Sequence, residues 1–142
     1  MDVPATILEA AKVSHPDTYE GKDVAPLQGK SLQPILDKSR EAVRGPSDWL
    51  GWELFGNRAI RQRYWKLLWL CKPYGPGKWQ LYDLKADPAE MNDVADKYPR
   101  IRNRLVDHWR TYAEKNNVIL PNTSPICGKS GSDPDRVEAP KN

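Results

Sequence analysis

Residues 51–84 read GWELFGNRAIRQRYWKLLWLCKPYGPGKWQLYDL, and this stretch decides the fold. It carries four of the six tryptophans, Trp52, Trp65, Trp69 and Trp79, and three of the six tyrosines. Trp65, Leu67 and Trp69 alternate with Lys66, Leu68 and Leu70; Trp79, Leu81 and Asp83 alternate with Gln80, Tyr82 and Leu84. A period of two, rich in aromatic and branched side chains, predicts strands. Gly56-Asn57 marks one turn, and Pro73-Tyr74-Gly75-Pro76-Gly77 marks another. The expected element is an antiparallel meander of about four short strands. Its Trp65/Leu67/Trp69 face is too apolar for water, so another element must cover it.

The natural cover lies downstream. In residues 99–116, Ile101, Leu105, Trp109 (or His108) and Tyr112 recur every three to four positions, while Arg102, Arg104, Arg110 and Glu114 fall away from that stripe. This is the signature of an amphipathic helix, stopped by Asn116-Asn117. Between meander and helix, Asp87-Pro88-Ala89-Glu90 has the form of a helix start, with a short turn expected over 91–95. Upstream, 2–12 reads as a helix with Asp2 as its cap, Pro4 in the first turn and Ile7, Leu8 and Ala11 on one face. Residues 14–31 read as loop. SLQPILDKS, opened by Ser31, reads as a short helical segment before a charged linker over 40–48. The fold class is thus α+β. The expected organisation is 1–48 as a last helix and linker of a larger domain, 49–118 as a sheet-and-helix subdomain, and 119–142 as a disordered tail. From Pro121 onward there is almost nothing to bury.

Composition narrows the partners. The chain has 142 residues, a formal charge of +3, thirteen prolines and a mean hydropathy of −0.76. Acidic and basic residues are intermixed, so charge gives no argument for nucleic acid or an anionic membrane. No apolar run approaches the roughly 18–20 residues that span a bilayer. The start, MDVPATILEAAKV, lacks the basic region and apolar core of a signal peptide, which places the chain in the cytoplasm if made as it stands. Cys71 and Cys127 have no metal-ligand spacing; a disulfide and two free thiols are both open.

Candidate chemistry is sparse. His15 precedes a proline in a loop and His108 sits at a helix edge, neither with a nucleophile at a recognisable spacing. Asp83, Asp87, Glu90, Asp93 and Asp96 form an acidic cluster that does not follow a calcium-loop pattern and reads as capping and solvated groups. Glu53, Arg58, Arg61 and Lys66 lie in or beside strands. They read as cross-strand ion pairs on the open face, or else Arg58, Arg61 and Lys66 form an anion site. Gly75 and Gly77 precede a strand, not a helix, so they form no phosphate loop.

In order and spacing, residues 1–118 resemble the carboxy-terminal region of bacterial type I arylsulfatases. Glu53, Gly56, Arg58, Ala59 and Arg61 fit the family's Glu-x-x-Gly-x-Arg-Ala-x-Arg strand pair. Trp65, Lys66 and Leu67 fit its Trp-Lys-Leu strand; Leu81, Tyr82, Asp83, Leu84, Asp87, Pro88 and Glu90 fit Leu-Tyr-Asp-Leu-x-x-Asp-Pro-x-Glu, followed by Val94-Ala95. MDVPATILEA resembles the helix that closes the family's catalytic domain, with the register displaced by one around Pro4, and Gly29-Lys30-Ser31 resembles the Gly-(Arg/Lys)-Ser after it.

The resemblance implies a parent that hydrolyses sulfate esters with a formylglycine, made from the Cys of Cys-x-(Pro/Ala)-x-Arg, beside a calcium ion. Neither Cys71 nor Cys127 stands in that motif. The resemblance therefore transfers no catalytic, cofactor-binding or metal-ligating residue, and the chain by itself is expected to be inactive and to hold no cofactor. The implied partner is a sulfatase catalytic domain, in cis or as a separate chain, with no nucleic acid and no membrane; the family is often periplasmic or secreted. The reading is of a piece from a truncated gene, a misplaced start or a split frame. An interaction module that reuses the fold to bind an acidic or aromatic partner is the alternative from another class.

Overall fold

The computed structural model describes residues 1–120, 123, 124 and 126–129. The chain divides into two compact units, 1–46 and 47–142.

In the first unit, α1 (Asp2–Ala11) is followed by the two-residue strands β1 (Thr18–Tyr19) and β2 (Lys22–Asp23) and by α2 (Gln33–Leu36). The segment 14–31 is thus not wholly loop: Glu20 and Gly21 take positive φ of 50° and 74°, which lets β1 turn directly into β2. Asp2 does not cap α1. The cap position is Met1, with no side-chain bond, and the Asp2 carboxylate is engaged elsewhere. It accepts both terminal nitrogens of Arg44, at 2.6 and 2.5 Å, and the amide of Lys30 at 3.0 Å. The Arg44 hydrogen bond, with the Lys30 amide behind it, holds the Asp2 carboxyl down at about 2. Thr6 adds a second tie, as its hydroxyl accepts the Leu32 amide at 2.9 Å. Ser31 Oγ accepts the Gln33 amide at the start of α2. These are polar clasps; no residue of 1–46 is buried, and Val3 and Ile7, one turn apart on α1, are each 61% exposed.

The second unit is the expected meander. Its strands are β3 (Trp49–Leu54), β4 (Asn57–Gln62), β5 (Trp65–Trp69) and β6 (Trp79–Asp83), antiparallel in the order β3-β4-β5-β6. The β3–β4 turn is Phe55-Gly56, both at positive φ, with the Gly56 amide bonded to Glu53 Oε1. Register sorts the side chains into cross-strand rows. Gly51, Ile60, Leu67 and Leu81 form one row; Trp49, Gln62, Trp65 and Asp83 flank it on one side, and Glu53, Arg58, Trp69 and Trp79 on the other. On this face lies α3 (Pro99–Lys115), which buries Leu105, Val106, Trp109 and Ala113. Ile60, Leu67, Leu81, Leu105 and Trp109 are fully buried. Each aliphatic side chain removed from water in this way contributes about 1.5–3 kcal/mol. Aromatic contacts set the helix position: Trp65 meets Tyr98 edge-on, Trp79 meets Trp109, and Trp49 stacks on His108.

Two expectations are corrected here. Asp87-Pro88 starts no helix. Glu90 takes a positive φ of 57°, which an α-helix cannot continue through, and the Asp87 carboxylate accepts the Asn92 amide at 2.7 Å to make a local turn. Tertiary contacts win over the capping pattern because Glu90 is drawn back to Lys66 and Asp93 lines the edge of β6. Nor is 119–142 structureless throughout. Leu120 is buried in the core, β7 (Thr123–Ser124) pairs with β8 (Gly128–Lys129), and Cys127 forms a disulfide with Cys71. The rest of that stretch, 121, 122, 125 and 130–142, lies outside the described residues.

Candidate functional site

Among the described residues Arg58 is the most deeply set charged one, at 3% exposure. Strand parity places it on the covered face beside Trp69 and Trp79. Its guanidinium carbon lies 4.3 Å from the centre of Trp69, 5.1 Å from Trp109 and 6.0 Å from Trp79. A planar, weakly hydrated cation among indole faces is held by their quadrupoles. Arg58 is therefore a structural cation joining the sheet to α3.

Arg61 and Lys66 occupy the opposite face, directly across from each other in register. The three basic residues consequently do not converge, and the anion-site reading is overturned by alternation along β4. The ion-pair reading fares little better as written: Glu53 and Arg58 are in register on the covered face, not the open one. Lys66 finds its partner outside the sheet. Its ammonium bonds both Glu90 oxygens, at 2.7 and 2.8 Å, and their side chains are 20% and 27% exposed. Arg61 Nε donates to the Arg63 carbonyl. Beside them Tyr82, buried at 6% exposure, has its hydroxyl pKa pushed up by burial and then by Asp93, Glu90 and Asp87.

The acidic cluster resolves into separate tasks. Asp83 accepts the Lys85 amide, and Asp87 accepts the Asn92 amide. Asp93 Oδ1 accepts the amides of Leu81 and Ala95, both at 3.0 Å, and so stands in for a further strand along β6. Asp96 pairs with Arg102 at 3.6 Å. Among the described residues no three His, Cys, Asp or Glu side chains converge on a point. A calcium ion takes six to eight oxygens at about 2.4 Å, and the described acidic residues do not gather such a set. His108 stacks on Trp49, and its pKa is lowered by burial and by Arg104 against an opposing pull from Asp107. Both cysteines are joined to each other, so neither is a free thiol.

A cleft of about 570 Å³ runs along the flank of α3. Its wall holds Lys78, Arg102 and Arg110 against Asp96 and Asp107. The cations are met by carboxylates in Lys78–Asp93, Arg102–Asp96 and Arg110–Asp107 contacts of 3.2–3.6 Å. Charge is nearly balanced there, and exposed pairs of this kind contribute little energy.

The outer face of the sheet is different. Trp52 is 42% exposed, Leu54 61% and Phe55 48%, next to the half-buried Leu50 and Leu68. Sequence reasoning placed Trp52 in the meander but not on this face. The signal was available in parity, because Trp52 and Leu54 alternate with Gly51 and Glu53.

Comparison with known proteins now has a geometry to attach to. A small antiparallel sheet with one covering helix and a preceding α1 segment is the arrangement found in solved sulfatase-like chains. One structure, solved in complex with its substrate D-glucosamine-2-N,6-O-disulfate, superposes with a TM-score of 0.59 at 24% identity, covering 82% of this chain and 24% of that one. Another, from work on glycosaminoglycan metabolism by Bacteroides thetaiotaomicron, gives a TM-score of 0.62 at 20% identity, over 80% of this chain and 24% of that one. These likenesses show a shared fold over about four-fifths of this chain. The family model for the C-terminal region of N-sulphoglucosamine sulphohydrolase matches residues 1–115. The chain is 38% identical over 122 residues to a sulfatase of Schizosaccharomyces pombe, 84% of this chain and 22% of that protein. It is 31% identical over 109 residues to arylsulfatase K of Xenopus laevis, 70% of this chain and 19% of that protein. The chain belongs to the sulfatase C-terminal family. It spans about a fifth of the length of these curated relatives.

Proposed function

We propose that this chain is the C-terminal part of a sulfuric ester hydrolase. In that reading the parent cleaves sulfate esters with a catalytic centre outside this chain, and the sheet–helix unit docks on the catalytic part and helps shape the rim of its cleft. The observation that carries it is the state of the first unit: ten residues of α1 and the whole of 1–46 form no buried core. Polar clasps such as Asp2–Arg44 hold the segment's shape but do not remove apolar area from water. Val3 and Ile7, exposed one turn apart, need a surface that this chain's own 1–46 does not supply. The exposed Trp52–Leu54–Phe55 face makes the same demand in the second unit.

The disulfide supports the same division of labour. With Cys71 and Cys127 bonded to each other, neither is available as the precursor of a formylglycine. The carboxylates of the 83–96 cluster that serve turns, the edge of β6 and ion pairs support a calcium site outside this chain. The disulfide also supports action in an oxidising compartment rather than the cytoplasm.

The test is aryl-sulfate hydrolysis by purified 1–142, in a preparation free of host sulfatase, with and without calcium. The expected result is no turnover in either condition. Measurable hydrolysis would overturn the proposal. A second arm reads the DNA immediately upstream of Met1, where an in-frame extension encoding Cys-x-(Pro/Ala)-x-Arg is expected. If the chain proves to be a compact monomer with strongly protected α1 amides, the interaction-module reading takes its place.

A further inference from the structure

The Cys71–Cys127 bridge joins two parts of the second unit that differ greatly in how they are held. Cys71 follows β5, is 4% exposed, and has its amide bonded to Asn57 Oδ1 at 3.0 Å. Cys127 sits in the turn between β7 and β8, each only two residues long, and is half-buried. Its sulfur lies over the β3–β4 turn: 3.3 Å from the Phe55 carbonyl oxygen, and 3.7 Å from where a Cβ on Gly56 would stand. The core that unites sheet and helix draws on β4, β5, β6, the 94–98 segment, α3 and the chain just beyond it to Leu120. Of Ile126 and Cys127, the hairpin residues whose burial is described, neither belongs to it.

We infer that the Cys71–Cys127 bridge is a redox modification site, opened by a dithiol reductant attacking Cys127, whose opening releases the 123–129 hairpin and uncovers the Phe55-Gly56 turn while the sheet–helix core stays folded. Two features set the direction of attack. An incoming thiolate must approach a sulfur along the S–S axis, and of the two sulfurs only that of Cys127 is on a solvent-reachable residue. The chemistry then balances as ordinary thiol–disulfide exchange. A reductant thiolate forms a bond to Cys127 Sγ, the Cys71–Cys127 bond breaks, and its electron pair goes to Cys71 Sγ, which takes up a proton. The second thiol of the reductant attacks the mixed disulfide, leaves as part of an oxidised reductant, and frees the Cys127 thiol. Two electrons have moved from dithiol to protein.

A monothiol is disfavoured as the opening agent. The two Cα atoms are 5.5 Å apart, so the Cys71 thiolate is held beside the mixed disulfide and recloses the bridge. Core independence follows from the topology: β4, β5 and β6 remain laddered to one another, and Ile60, Leu67, Leu81 and Trp109 keep their contacts whether or not the hairpin is tethered.

The experiment uses the full 142-residue oxidised chain. It is exposed to glutathione or to dithiothreitol, quenched in acid, and read by peptide mapping and by hydrogen exchange. Three results are expected. Any trapped glutathione adduct maps to Cys127; dithiothreitol opens the bridge faster than glutathione at equal thiol concentration; and opening speeds amide exchange in 54–57 and 126–129 by about tenfold or more even where the chain stays folded, while 59–61, 66–68, 80–82 and 103–112 remain the slowest amides, their protection lowered only by the bridge's share of global stability. The double variant Cys71→Ser/Cys127→Ser reproduces the exchange pattern of the reduced chain. An adduct on Cys71, unchanged exchange at 54–57, or loss of protection throughout the sheet and α3 in either the reduced chain or the double variant would overturn the inference.

Discussion

Gly51 lies directly beneath the Tyr112 ring of α3, and replacing it by alanine tests the packing directly. It sits in the central row of the covered face, opposite Ile60, with the Tyr112 ring resting on its backbone. A Cβ added there would stand 2.6 Å from Tyr112 Cγ, 2.7 Å from Cδ2 and 3.0 Å from Ile60 Cδ1. Carbon–carbon contacts settle at about 3.5–4 Å, so the ring would have to retreat by about 1 Å. It has little room, since Trp109 and Ala113, its neighbours on α3, are fully or almost fully buried. Overpacking of this kind costs about 1–3 kcal/mol, against which the stiffer unfolded chain returns about 0.4–1 kcal/mol. The expected net loss is about 1–2 kcal/mol. For a unit of this size that is a fall in Tm of roughly 5–15 °C. The assay is thermal unfolding by near-ultraviolet circular dichroism of the wild type, Gly51→Ala, Tyr112→Ala and the double variant. Relief of the clash in the Tyr112→Ala background should make the two changes less than additive. A Tm unchanged in Gly51→Ala, or a full penalty persisting once Tyr112 is gone, would refute the reasoning.

The bridge also bears on stability. Removing 121–142 or changing Cys127→Ser should lower the unfolding free energy by about 2–4 kcal/mol, the upper end being the loop entropy of a closed stretch of some 56 residues; an unchanged denaturation midpoint under non-reducing conditions would contradict this. His108, whose folded pKa lies below its ordinary value through burial first and Arg104 second, is neutral in the fold. The unfolded chain therefore takes up that proton first, so this contribution is complete above about pH 6.5 and is lost as pH falls through the folded pKa; His108→Gln should flatten the stability profile between about pH 7 and 5. Asp2, held at about 2, contributes stability to the first unit that is present above about pH 4 and lost as pH falls toward 2. An NMR titration of its carboxyl checks the value, and Asp2→Asn should speed amide exchange at Lys30, whose amide it accepts.

What the amino-acid sequence determined by itself was whatever depends on local periodicity. The alternation in Trp65–Trp69 and Trp79–Asp83 specified strands, the stripe of 99–116 specified their cover, and both stand within a residue or so of the observed bounds. The order and spacing of Glu53, Gly56, Arg58, Leu81, Tyr82 and Asp83 carried the family likeness, because these residues sit at turns and strand positions that the fold repeats. The separation of Arg58 from Arg61 was legible in the same way, since residues an odd number apart on one strand face opposite sides.

Other features were beyond reach of local reasoning. The Asp87-Pro88-Ala89-Glu90 pattern is a sound helix start in isolation, yet Glu90 and Asp93 gain more from Lys66 and the edge of β6, groups distant in sequence. Asp2 was a plausible cap until Arg44 offered a two-pronged charged partner 42 residues away. The pairing of Cys71 with Cys127 depends on the end of β5 meeting the 123–129 hairpin, a closeness that chain spacing does not encode. In the first two cases a long-range contact prevailed over a local preference worth about 1 kcal/mol, and in all three only the tertiary arrangement decides which groups are near enough to meet.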